Sequence, residues 1–127
     1  MHNDPAIKVM MMPKDTNPHG IIFGGVLLSY IDQAGAIHAE EAGKAAGVEN
    51  IKFVTIAMDK IEFRKPVQVG DVVSFFVETI KVGKSSIVVH VLAYANHIPL
   101  AEGFVTQATL VFVAVDENQK PVEVFKG

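Results

Sequence analysis

The pattern of apolar and polar positions divides the chain into one helical stretch and a series of strands. From Ile21 to Ile37 the sequence runs seventeen positions with a single formal charge, Asp32. Within it, Val26, Tyr30, Ala34 and Ile37 recur at spacings of three and four, as do Leu27, Ile31 and Ala34, which predicts a helix. The apolar face widens until the first half is apolar nearly all round, the pattern of a helix buried on several sides. Glu40, Glu41 and Lys44 bring the second half to solvent. Gly43 and Gly47 bracket its end, so the predicted helix spans about 24–46.

Ahead of it, 6–12 is a short apolar run stopped by Pro13 and predicts a strand. Residues 13–20 carry two prolines, a glycine and the Asp15-Thr16-Asn17 cluster, which is loop chemistry. Behind it, 52–64 is rich in β-branched and aromatic residues, with an alternation that changes phase near Ala57. Pro66 and Gly70-Asp71 mark a turn. The runs 72–82, 85–96 and 101–115 predict three more strands, separated by Gly83-Lys84 and Ile98-Pro99, and Val122–Phe125 predicts a short edge piece. Short turns between consecutive strands imply antiparallel pairing, and one helix wrapped by such a sheet is an α+β layout.

With 127 residues, half of them hydrophobic and a fifth charged, the chain suits one domain, 1–127. It has no cysteine, which removes thiolate nucleophiles and thiolate metal sites and accords with a reducing, cytoplasmic setting. The net charge of −3 comes without a basic tract, so nucleic acid is not expected as a partner. No apolar run approaches a membrane span, and Met1–Pro5 does not read as the start of a signal peptide.

Asp32 stands out chemically. A carboxylate among Leu28, Ser29, Gly35 and Ala36 is costly to bury unless it is paired or used. Its structural reading is a buried aspartate held by a donor. Its functional reading is a general base or nucleophile in a partly dry cleft, where lost hydration makes a carboxylate more basic. Gly24-Gly25 makes either a tight loop-to-helix turn or a helix start whose free N–H groups polarise a carbonyl. Asn17 is a turn residue or a hydrogen-bonding group of a site. His19 reads as a solvated bystander, and His38 with Glu40 and Glu41 lacks a second histidine at ligand spacing, so no metal site is expected. Lys84-Ser85-Ser86 is a solvated hairpin or a phosphate cradle. The nucleotide-binding loops and the G-x-S-x-G elbow are absent.

Taken together, MPKDTNPHGIIFGG, YIDQAGAI, VTIAMDKIEFRKPVQVGD, KVGKSSI and FVAVD resemble the YciA-type acyl-CoA thioesterases of the hotdog fold. The resemblance runs in order along nearly the whole chain. It implies a hotdog subunit, α+β, with the helix wrapped by an antiparallel sheet. It also implies homodimers joined sheet edge to sheet edge, assembled as trimers of dimers, with active sites between chains. The family's catalytic aspartate falls on Asp32, its loop asparagine on Asn17, and its glycine-rich helix start on Gly24 and Gly25. Gly83, Lys84, Ser85 and Ser86 fall on the turn associated with coenzyme A, and Thr55 on a position near the interfacial site. Val26 replaces a frequent tryptophan and Lys84 a frequent arginine, and lysine cannot make arginine's planar bidentate contact with phosphate.

The expected activity is hydrolysis of acyl-CoA to acid and coenzyme A without a metal or redox cofactor. A non-catalytic acyl-CoA sensing module is the alternative from another class. A dehydratase acting on hydroxyacyl thioesters is a third reading, weakened by the lack of a histidine at a matching helix position.

Overall fold

The computed structural model describes residues 4–125; the expectation about a leader, which concerns residues 1–5, falls partly outside them. One helix, α1 (Gly24–Ala45), lies on a five-stranded sheet. The strands are β1 (Ile7–Met10), β2 (Lys52–Phe63), β3 (Val72–Val82), β4 (Ser86–Ala95) and β5 (Thr106–Val115). Their spatial order is β1-β3-β4-β5-β2 and every pairing is antiparallel. The α+β layout is therefore the one the sequence predicts.

Alternation decides the faces. Along β4, Ile87, Val89, Val91, Ala93 and Ala95 are buried under the helix, and Ala108, Leu110, Phe112 and Ala114 do the same along β5. In β2 the alternation breaks, as its sequence suggests. Register shifts fall between Thr55 and Ala57 and again between Asp59 and Glu62. The first inserts Ile56 as an extra residue, so Thr55 and Met58, three apart, both pair with core-facing residues of β5, Phe112 and Leu110. The change of phase near Ala57 is this bulge.

Glycine sets how close the helix comes. A Cβ on Gly35 would lie 2.8 Å from Cε2 of Phe112 and 3.4 Å from Val89, and one on Gly43 would meet the Phe53 ring at 3.2 Å. Around these contacts Leu27, Ile31, Ala34 and Ala39 are buried, with each large aliphatic side chain contributing about 1.5–3 kcal/mol.

Four expectations need correction. The helix is buried on one face only: Ser29, Gln33 and Ile37 are exposed, because the sheet covers one side and none of the described residues covers these positions on the other. The link from β2 to β3 is not a hairpin. It crosses under the start of α1, where the Val67 carbonyl accepts the Ile22 N–H at 2.8 Å, and so leaves β2 and β3 apart in the sheet. The last strand begins at Thr106, not Ala101, because Leu100–Glu102 forms a 3-10 turn ended by Gly103 at φ 88°. Finally, Val122–Phe125 is not a strand. Its backbone instead ties down the β3–β4 turn, with Val124 and Phe125 both donating to the Lys84 carbonyl.

One core residue is chemically out of place. Thr106 is fully buried and its hydroxyl has no hydrogen-bond partner among the described residues. A buried unpaired hydroxyl costs roughly 1–3 kcal/mol. Thr106→Val replaces it with a methyl group of like size, so urea unfolding should shift to a higher midpoint by about 1 kcal/mol at unchanged slope. A destabilised variant would mean that the hydroxyl is satisfied in solution.

Candidate active site

Asp32 sits in the middle of α1, half-buried at the margin of the face that meets the sheet. The Thr55 hydroxyl of β2 donates to Asp32 Oδ1 at 2.6 Å. Two features create this bond. Gly35, one turn on, lets α1 settle against Phe112, and Phe112 is the cross-strand partner of Thr55. A carboxylate is acceptor-only, so the hydroxyl proton points toward it and fixes one oxygen. Asp32 is thus not sealed in a core. Among the described residues it is held at an edge by a single neutral donor.

That edge is open. β2 is the last strand of the sheet, and most of its residues are exposed. Ile56 is 60% exposed, Ile61 42% and Phe63 50%. A long apolar edge with unpaired backbone groups is a template for another strand.

The start of α1 lies beside the far end of β2, where a Cβ on Gly24 would meet the Phe63 ring at 3.0 Å. Phe23 is its N-cap and provides no side-chain cap, and the first turn holds no acid. The Phe23 carbonyl accepts from Val26 and Leu27. The N–H groups of Gly24 and Gly25 have no acceptor among the described residues. A Cβ on Gly25 would meet nothing within 4 Å, so this backbone is open to a ligand. Eight residues separate Gly24 from Asp32, or about 12 Å at 1.5 Å per residue. One chain's helix start and its own Asp32 are too far apart to act on the same carbonyl.

Asn17 lies in the loop leading to this helix start. Its side-chain oxygen accepts the N–H groups of His19 (2.9 Å) and Ile21 (3.1 Å), which is the turn role. His19 is exposed and enters through its backbone. The turn with Gly83, Lys84, Ser85 and Ser86 lies at the sheet end nearest Thr55. Ser86 pairs with Val113, which pairs with Val54, placing the turn about two strand spacings, roughly 10 Å, from β2. Lys84 is exposed. His38 Nε2 lies 2.8 Å from Thr79 Oγ1, and both line a cleft of about 620 Å³ that contains neither Asp32, Thr55, Asn17, Gly24 nor Gly25. No group of three or more metal-ligating side chains occurs among the described residues.

Sequence reasoning read Asp15 only as part of a loop. The structure buries it and uses it twice. Its Oδ2 accepts the Met12 N–H at 3.0 Å, and its carbonyl accepts the Phe23 N–H at 2.9 Å. Asp15 therefore pins both ends of the loop that presents Gly24. The available signal was an aspartate three residues after a chain reversal begins, a spacing at which its carboxylate reaches back to a backbone N–H.

The thioesterase superfamily matches over residues 19–102, and the chain belongs to it, among the hotdog-fold proteins of the YciA type. A Haemophilus influenzae protein described as an uncharacterized acyl-CoA thioester hydrolase is 40% identical over 116 residues, 88% of this chain and 71% of that one. The acyl-CoA thioester hydrolase YciA of Salmonella typhimurium is 34% identical, with 95% and 92% covered. Among solved structures, a hexameric hotdog fold thioesterase of Campylobacter jejuni superposes with a TM-score of 0.84 at 38% identity, covering 98% and 92%.

The Asp15 contacts carry a pH signature. Its carboxyl is held below the ordinary aspartate range, first by the Met12 N–H and then by the Lys14 ammonium. A folded-state value below the unfolded one means the ionised group stabilises the fold. That contribution is complete above about pH 4, the unfolded value, and is lost as pH falls through the folded value. Wild type should therefore melt above Asp15→Asn at pH 7, with the two curves converging below pH 4. A difference that does not change with pH would refute this role.

Proposed function

We infer that the protein hydrolyses acyl-CoA thioesters to carboxylic acid and coenzyme A, in the cytoplasm and without a metal or redox cofactor. The observation that carries the reading is Asp32, oriented by Thr55 on an open sheet edge in a chain of the thioesterase superfamily. No described helix is long and apolar enough to cross a membrane.

The site is built from two chains. Two copies joined through β2, antiparallel about a twofold axis, bring the Asp32–Thr55 pair of one copy toward the helix start of the other. This arrangement removes the ~12 Å separation within one chain. It also buries Ile56 and Ile61, and three such dimers would make six chains, the number in the hexameric Campylobacter jejuni relative. The Gly24 and Gly25 N–H groups then polarise the thioester carbonyl, and the Asn17 side-chain amide assists. These donors gain most as negative charge develops on the oxygen.

Asp32 either takes a proton from the attacking water or attacks the carbonyl itself. In the second route thiolate leaves, and water opens the mixed anhydride. Lys84, with Ser85, Ser86 and the Gly83 backbone, binds the phosphates of coenzyme A.

Thiol release from a panel of acyl-CoAs tests the reading. Asp32→Asn keeps the volume and removes the base, so kcat should fall ~100-fold or more. Binding of acyl-CoA by the wild type without thiol release would favour the sensing module instead.

Thr55→Val removes the donor that orients the carboxylate. Its kcat should fall about 10- to 100-fold with KM little changed, a hydrogen bond to a charged group being worth about 1.5–3 kcal/mol. Thr55→Ser, which keeps the hydroxyl, should recover most of the rate. A raised KM at constant kcat would instead make Thr55 a binding residue.

A further inference from the structure

Phe63 ends β2 beside the start of α1. Its ring is half exposed, yet a Cβ on Gly24 would lie 3.0 Å from its Cζ and 3.2 Å from its Cε1. The ring thus stands against bare helix backbone at the place where two N–H groups are unspent. Phe63 is also the cross-strand partner of Thr106, so its side chain is directed to the helix side of the sheet.

The ring also lines an open cavity of about 340 Å³. Apart from Arg64 and Lys65, its lining side chains are apolar, among them Ile21, Ile22, Leu27 and Val67. Both cations are engaged elsewhere. Arg64 Nε donates to Glu62 at 3.0 Å and its guanidinium lies 4.4 Å from the centre of the Phe104 ring. Lys65 Nζ donates to Glu102 at 2.7 Å.

A thioester carbonyl seated on the Gly24 and Gly25 N–H groups has two arms. One leads through sulfur to a polar, phosphorylated carrier, and the other is the hydrocarbon. Only the second matches an apolar cavity.

We propose that this cavity is the acyl pocket and that Phe63 is its gate, a specificity-determining residue that limits chain length. The proposal rests on the thioesterase reading above and adds to it the length of the acyl group.

The test is kcat/KM for C4, C8, C12 and C16 acyl-CoAs with wild type, Phe63→Ala and Ile21→Phe. Phe63→Ala should raise the C12-to-C4 ratio at least ~10-fold, and Ile21→Phe, which narrows the cavity from the other side, should lower the C8-to-C4 ratio by a similar factor. Ratios unchanged in both variants, or equal losses at every length, would overturn the gate. A changed inhibition constant for free coenzyme A with an unchanged length profile would assign the cavity to the carrier arm and also overturn it. Should wild type release no thiol, dissociation constants of the same acyl-CoAs give an independent answer. Affinity that follows chain length and shifts with Phe63→Ala would retain the pocket while the hydrolase reading fell.

Discussion

The contact of Gly35 with Phe112 governs the geometry of this protein. Any side chain at position 35 would collide with the ring, a Cβ lying 2.8 Å from Cε2, so a hydrogen there brings α1 against the sheet. Asp32 lies one turn earlier and Thr55 one strand over, paired with the same Phe112. The 2.6 Å bond between them follows from that approach, since a helix standing off by the width of a methyl group could not make it. The packing pair and the chemical pair are thus neighbours, one helical turn and one strand pairing apart.

The bulge at Ile56 belongs to the same arrangement. Without the extra residue, strict alternation would face Thr55 and Ala57 to the helix and turn Met58 outward. With it, Thr55 and Met58 both face the helix, and Ile56 is left on the open edge, 60% exposed. The second irregularity places Lys60 at φ 53°, a left-handed conformation that costs a residue with a Cβ about 1–2 kcal/mol. Strain of this sort persists where its surroundings enforce it and clusters at functional sites. Here it lies between Thr55 and Phe63, the two β2 residues that touch α1 near Asp32 and Gly24.

Much of this was legible in the sequence because periodicity is a local property. The helix bounds, the strands 72–82 and 85–96, and the phase change at Ala57 all follow from neighbours along the chain. What eluded that reading depends on partners distant in sequence. The crossing of residues 64–71 beneath the helix, which separates β2 from β3, arises from the Ile22–Val67 backbone bond, and no pattern in either segment announces it. The apparent strand at 101–105 is apolar because Val105 enters the core, not because the segment extends the sheet. Asp32 was conspicuous as the lone charge in its stretch. Its partner was not, because the Thr55 hydroxyl is one of several along the strands and only the fold selects it.

The half-buried state of Asp32 in one chain follows from the open edge. A catalytic carboxylate needs water as a reactant and benefits from losing bulk water around it. A single protomer provides the first condition at the expense of the second. In the proposed dimer, pairing through β2 would cover the edge on which Ile56 and Ile61 are exposed and bring a second helix start within reach. Dehydration of the carboxylate and delivery of the carbonyl donors would then occur together. On this view the uncapped start of α1 is the counterpart of the half-exposed aspartate. Each is an incomplete group among the described residues of one chain, a donor pair without an acceptor and a base without an enclosure, and in the proposed dimer each would be completed by the other's copy.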